Sequence, residues 1–176
     1  MNHDDHVALL RPGIISANMP PTWADLGAGD GAFTLALAEL LGNDATIYTV
    51  DRDSRALASG KDRLARAFPA VNIMPVVADF RYPLDLPPLD GLVMANALHF
   101  VRDPQSLIHQ FRAFLRPGAP FIVVEYNVDR GNHWAPFPFT FERWGEMARQ
   151  AGFHNTRLLG RRSSRFLREI YAAAST

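Results

Sequence analysis

Five short apolar runs punctuate the first 126 positions of the chain. They are "TWADL" (Thr22–Leu26), "TIYTV" (Thr46–Val50), "NIMPVV" (Asn72–Val77), "LDGLVMA" (Leu89–Ala95) and "PFIVVEY" (Pro120–Tyr126). Each has strand length, and its nearly continuous apolar character predicts burial on both faces, as in a parallel sheet. Ala32–Leu41, Ser54–Phe68 and Pro104–Leu115 instead carry apolar residues at helical spacing. Asp103-Pro104 supplies a cap and first-turn proline to the last of these, and "RPG" (Arg116–Gly118) breaks it. Strands alternating with helices in this way predict an α/β domain with a doubly wound parallel sheet.

Beyond Tyr126 the pattern changes. "NVDRGNHWAPFPFTF" (Asn127–Phe141) reads as a long aromatic loop, and "FERWGEMARQAGF" as a helix ending at Gly152. A strand to about Gly160 and a turn at "RRSS" follow, while "RFLREIYAAA" scores as helix on propensity and on its Phe166/Ile170 and Leu167/Tyr171 pairs. Residues 1–20 read as an N-terminal arm, helical or partly disordered, and 21–176 as a single domain. "HDDH" in that arm has metal-like residue types, but at a terminus disorder is the expectation and no metal site is assigned.

Composition narrows the function classes. The 176 residues suit one domain, and lysine plus arginine equals aspartate plus glutamate at 18 each, so no global charge points to nucleic acid or an anionic membrane. The absence of cysteine excludes disulfides, thiolate metal sites and a cysteine nucleophile. No basic segment leads into an apolar core at the start, and no apolar run approaches a membrane span of about 18 residues. The expectation is a soluble, cytoplasmic protein.

The segment "WADLGAGDGAF" carries the chemistry. A strand runs into glycines at 27, 29 and 31 and then into a helix. Glycine permits unusual φ and close backbone approach, and a helix N-terminus offers unpaired N–H groups, so the turn predicts a ligand beyond the strand's carboxyl end. The spacing is GxGxG rather than the dinucleotide GxGxxG. Asp51, twenty residues past Gly31, ends the second strand, where a carboxylate can take a ribose diol. Asp51 could equally cap the following helix, a task within reach of Asp53.

"DLGAGDG", "VDRD", "VVADF", "DGLVMANALHFV" and "FLRPGAPFIVVEY", in that order, resemble the class I S-adenosylmethionine-dependent methyltransferases, over about Thr22 to Thr176. The resemblance implies a Rossmann-like, mostly parallel seven-stranded sheet closed by a C-terminal antiparallel hairpin. That makes "RFLREIYAAA" a strand against its propensity. It implies S-adenosylmethionine as cofactor, with Gly27, Ala28, Gly29 and Gly31 against its methionine and ribose parts and Asp25 near its amino group. Asp51, with Arg52 beside it, would take the ribose; Asp79 and Phe80 would read the adenine edge; Asn96 and Leu98 would line the methyl side. The resemblance is to the small-molecule type without an inserted substrate domain. The aromatic density of the loop after Tyr126 and the absence of a basic face make the expected acceptor a small, apolar or aromatic molecule, with no nucleic acid and no membrane as partner.

Transfer from a sulfonium is an in-line displacement that needs mainly alignment. A base is required only when the acceptor must lose a proton. His99, in the loop after the fourth strand, is the first candidate, followed by Glu125 and Tyr126 at the end of the fifth. His99 could also merely shape the pocket, and Glu125 could pair with a nearby arginine. His99, Tyr126, His133, Trp134 and Phe137 are the candidate acceptor contacts, the last three on a loop that could act as a lid or simply pack on the sheet. The arginines of "GRRSSRFLR" could meet an acidic acceptor or form a solvated hairpin. Rival readings are a nicotinamide-dependent oxidoreductase, disfavoured by the glycine spacing and by Arg130 where a YxxxK pair needs lysine; a nucleic-acid methyltransferase, disfavoured by "NALH" and zero net charge; and a donor-binding protein without catalysis.

Overall fold

The computed structural model describes residues 1–14 and 20–176. Within them seven strands form one sheet: β1 (Thr22–Leu26), β2 (Thr46–Asp51), β3 (Asn72–Val77), β4 (Gly91–Ala95), β5 (Phe121–Tyr126), β6 (Thr156–Ser164) and β7 (Arg168–Ser175). Their order is β3-β2-β1-β4-β5-β7-β6. The first five run parallel, and β7 is antiparallel to both β5 and β6. The chain winds outward from β1 to β3 and then restarts with β4 on the other side of β1. That reversal opens a crevice beyond the carboxyl ends of β1 and β4.

Among the described residues, five helices cover the sheet: α1 (His3–Leu10), α2 (Ala32–Leu41), α3 (Ser54–Ala67), α4 (Gln105–Phe114) and α5 (Phe141–Gln150). Alternation along the strands divides the apolar side chains between two layers. Leu92 and Met94 join Phe111, Phe121 and Trp144 in one, while Val93 and Ala95 join Trp23, Leu37, Ile47 and Ile122 in the other. β1, β4 and β5 are buried almost throughout, as their sequences predict. Among the described residues no helix is long and apolar enough to cross a membrane.

Four expectations need correction, and a fifth is met. β3 is not buried on both faces: as the outermost strand it exposes Asn72, Met74, Pro75 and Val77, and an edge is where a strand tolerates proline. β4 begins at Gly91 rather than Leu89, which makes only an isolated bridge to Leu115. β6 continues through "RRSS" to Ser164, because Arg161–Ser164 pair with Tyr171–Arg168, and Arg165–Leu167 make the turn. The expectation that is met is "REIYAAAS", a strand as the family resemblance implies, since Ile170–Ala174 fill a buried slot between β5 and β6 that outweighs helix propensity. "HDDH" opens an ordered helix. Asn2 and Asp5 form a reciprocal cap, Asp5 pairs with Arg162, and His3 pairs with Glu39. The part of the arm at 15–19 lies outside the described residues.

Candidate functional site

β1 ends in a turn where Gly27, Gly29 and Gly31 all have left-handed φ, at 78°, 54° and 82°. Gly27 is packed against the chain after β4: a Cβ there would stand 2.5 Å from the Ala97 Cβ. Gly29 faces open space, with nothing within 4 Å of where its Cβ would be. The turn is tied to β2, since Gly27 and Ala28 donate to the Val50 carbonyl at 2.8 and 3.1 Å. Asp51 completes it, one carboxylate oxygen accepting from Gly29 N at 2.8 Å and the other from Asp53 N at 2.9 Å. Asp53 caps α3 through Arg55 N and Ala56 N, so capping does not occupy Asp51.

A cleft of about 500 Å³ opens over this turn. Its lining includes Gly27, Gly29, Asp51 and Arg52 on one side, Asp79, Phe80 and Arg81 on another, and Asn96, Ala97 and Phe100 at the end of β4. Asp79 is held by Arg81, whose Nε lies 2.9 and 3.0 Å from the two carboxylate oxygens. Those hydrogen bonds hold its carboxyl below the ordinary range. Asn96 adopts a left-handed φ of 51°, and its Oδ1 is buried with no partner among the described residues. An orphaned buried acceptor on a ligand-sized cleft fits a donor-rich ligand group. Asp25 sits behind the lining, 1% exposed, accepting from the Thr34 hydroxyl at 2.6 Å. Burial, reinforced by the charge of Asp51, pushes its carboxyl up to about 6, against the opposing pull of Thr34.

Beside the cleft lies a buried acid–imidazole pair. Glu125, at the end of β5 and 0% exposed, receives His99 Nδ1 at 2.7 Å on one oxygen. Its other oxygen accepts from Leu98 N at 3.0 Å and His99 N at 3.2 Å, clamping the short 3-10 turn Leu98–Phe100. The partner of Glu125 is thus a histidine, not an arginine. The His99 ring contacts those of Phe100 and Tyr126, with centroids at 4.4 and 5.7 Å. Burial and the nearby Glu125 push the Tyr126 phenol up, so it stays protonated around neutral pH.

Of the residues singled out in the sequence, Gly27, Gly29, Asp51, Arg52, Asp79, Phe80 and Asn96 line the cleft, while Asp25, Ala28, Gly31 and Leu98 are not part of that lining. The aromatic loop divides. Phe139 is core, stacked on Trp144, and Phe141 packs against Tyr171. Phe137 is half-buried beneath Arg102, and its N–H donates to the His99 carbonyl at 2.9 Å. His133 and Trp134 pack edge to face at the exposed tip. Phe100, Ala97 and Arg81 are cleft residues that sequence reasoning missed. Their one signal was adjacency to His99, Asn96 and Phe80.

A left-handed glycine turn, a strand-end carboxylate and a crevice at the reversal of strand order define a nucleotide-type ligand domain. The methyltransferase domain family matches residues 24–118, more than half of the chain. The chain belongs to that family, the class I methyltransferases, whose methyl donor is S-adenosylmethionine. It is 33% identical over 100 residues to an RNA 2'-O-methyltransferase of Mus musculus, covering 56% of this chain and 31% of that protein. It is 26% identical over 156 residues to a reducing polyketide synthase of a Penicillium species, covering 74% of this chain and 6% of that protein. The chain thus spans less than a third of these curated relatives. Among solved structures, YcgJ of Bacillus subtilis superposes with a TM-score of 0.74 at 12% identity, covering 99% of both chains. An arsenic(III) S-adenosylmethionine methyltransferase of Chlamydomonas reinhardtii superposes with a TM-score of 0.68 at 16% identity, covering 93% of this chain and 64% of the other. At those identities the likeness concerns the fold.

Proposed function

We propose that this chain methylates a small acceptor with an apolar or aromatic body, with His99 taking the acceptor's proton and Glu125 holding His99 in place. The observation that carries this reading is the His99–Glu125 contact of 2.7 Å, buried beside the cleft. By accepting from Nδ1–H, Glu125 fixes the imidazole tautomer, so Nε2 keeps the free lone pair that a base needs. With both its oxygens already accepting N–H groups, Glu125 serves as the orienting group rather than a second base. Tyr126, kept protonated, offers a hydrogen-bond donor and a ring face to the acceptor.

Bound in the cleft, S-adenosylmethionine supplies an activated methyl group. Gly27 and Gly29 would give it a side-chain-free approach, with Ala28 and Gly31 completing the turn, while Asp51 and Arg52 would hold the ribose and Asp79 and Phe80 would meet the adenine. Asn96, Leu98 and Asp25 serve the methionine end. On the acceptor side Phe137, tied to His99 through its N–H, forms a wall, and His133 and Trp134 extend it along the same loop. Zero net charge favours a small acceptor over RNA.

The test is methyl transfer from labelled donor to a panel of aromatic hydroxyl, amine and activated-carbon acceptors. His99→Ala should cost about 10²–10⁴ in single-turnover rate, with donor affinity nearly unchanged. A variant that keeps the wild-type rate and pH profile removes His99 from the chemistry. Tight, salt-sensitive RNA binding would overturn the small-molecule reading.

A further inference from the structure

The exposed tip of the β6–β7 hairpin bears two arginines that the reading above does not use. Because Ile170 pairs with Tyr126 at the carboxyl end of β5, the turn Arg165–Leu167 projects past that end, on the edge of the sheet where the cleft opens. The other hairpin arginines have partners. Arg157 donates to the Pro12 carbonyl, Arg161 lies 3.6 Å from Glu169, and Arg162 lies 3.3 Å from Asp5. Arg165 and Arg168 are exposed and pair with no carboxylate among the described residues. Arg168 moreover holds a φ of 62°, a left-handed conformation that glycine would adopt at lower cost. Between them Phe166 is 45% exposed, with its ring 5.7 Å from Tyr126. Tyr126 is in turn 5.7 Å from His99, whose ring is 4.4 Å from the cleft residue Phe100. A continuous aromatic row therefore joins an unpaired cationic tip to the wall of the donor cleft.

We propose that Arg165 and Arg168 bind an anionic group of the acceptor, a carboxylate or phosphate, while its apolar body lies along Phe166 and Tyr126 toward His99. This deepens the small-molecule reading and rests on it. The ring row accepts the apolar part, and guanidinium groups provide paired, charge-assisted donors for the anion. The anion stands two ring contacts from His99, so an acceptor selected here carries its charge at the end remote from the methylated atom. Two unpaired arginines suit one anionic group, which favours a small molecule over an extended polyanion.

The experiment titrates 2-naphthoate, its neutral isostere 2-naphthamide, and 2-naphthyl phosphate into isotopically labelled protein. Arginine Nε–H resonances and the Phe166 amide report the site. The acids should bind at least about tenfold more tightly than the amide, the scale of one charge-assisted contact, and should shift Arg165, Arg168 and Phe166. The Arg165→Gln/Arg168→Gln double variant should lose that preference while binding S-adenosylmethionine with unchanged affinity. The better of the two acids identifies the anion class. Equal binding of acid and amide, or an acid preference that survives in the double variant, overturns the site. Donor binding measured by calorimetry on the same sample is independent: its loss in the wild type would overturn the methyltransferase reading itself, whatever the naphthoate result.

Discussion

Replacing Asp25 with asparagine should make the donor-free protein relatively more stable as pH rises. The carboxyl is buried at the end of β1 and its pKa climbs from the ordinary 3.8 to about 6, chiefly through desolvation. Below the lower value the group is protonated whether the chain is folded or not. Between 3.8 and about 6 the unfolded chain releases the proton while the folded protein keeps it, so stability falls as pH rises through that window. Above about 6 the folded protein carries the full penalty, about 3 kcal/mol at about 1.4 kcal/mol per pKa unit. Asparagine keeps an oxygen to accept from Thr34 and does not ionise. Any fixed cost of fitting its amide is the same at every pH. Urea unfolding of both proteins at pH 4.0, 5.0, 6.0 and 7.5 without donor should show the variant gaining about 2.4 kcal/mol on the wild type across the series, since part of the penalty is already present at pH 4.0. Stability curves that stay parallel from pH 4.0 to 7.5 would refute the reasoning. A carboxylate kept at such cost is the one assigned to the donor's amino group, so the same variant should bind S-adenosylmethionine more weakly by calorimetry.

The two cleft glycines should separate folding from binding. Gly27→Ala, with its Cβ 2.5 Å from Ala97 and φ at 78°, should lose about 2–4 kcal/mol of stability in denaturant unfolding. Gly29→Ala has room, so it should lose only about 1 kcal/mol through its left-handed φ yet weaken donor binding by about tenfold or more in calorimetry. Phe139→Ala should cost about 3–5 kcal/mol in the same unfolding assay, because that ring is stacked in the core on Trp144. Glu125→Gln should leave His99 without a fixed tautomer. Imidazole nitrogen shifts should move from a single Nδ1–H form in the wild type to a mixture in the variant, and an unchanged spectrum would mean that Glu125 does not orient the ring.

The glycine turn and much of the cleft lining were legible because their pattern is local. Three glycines between a strand and a helix, and a carboxylate where the next strand stops, sit in short segments whose spacing is itself the signal. The proposed acceptor side depends on tertiary contacts. His99 and Glu125 are 26 positions apart, and only the parallel register of β4 with β5, Ala95 opposite Val124, brings the ends of those strands together. Nothing in "NHWAPFPFTF" distinguishes Phe139, which enters the core, from Trp134, which is 67% exposed, because prolines remove the periodicity that would assign faces. Phe100 and Arg81 lie in short turns with no period of their own. "RFLREIYAAA" has genuine helix propensity, and its strand state comes from the slot that β5 and β6 provide. "HDDH" looked like a loose terminus because its order comes from partners far along the chain, Glu39 and Arg162.

The position of β7 between β5 and β6 also governs how the protein comes together in time. β5 is complete by Tyr126, yet its outer edge has no hydrogen-bonding partner until Arg168–Ser175 arrives. A nascent chain emerging from the ribosome therefore displays an open edge of phenylalanine, isoleucine and valine for more than forty residues of synthesis. Pairings this distant in sequence form late and slowly, and exposed apolar strand edges meanwhile recruit other chains. Closure of the sheet waits for the last strand to be inserted, so refolding yield should be limited by aggregation of a species that already has β5 but not yet β7.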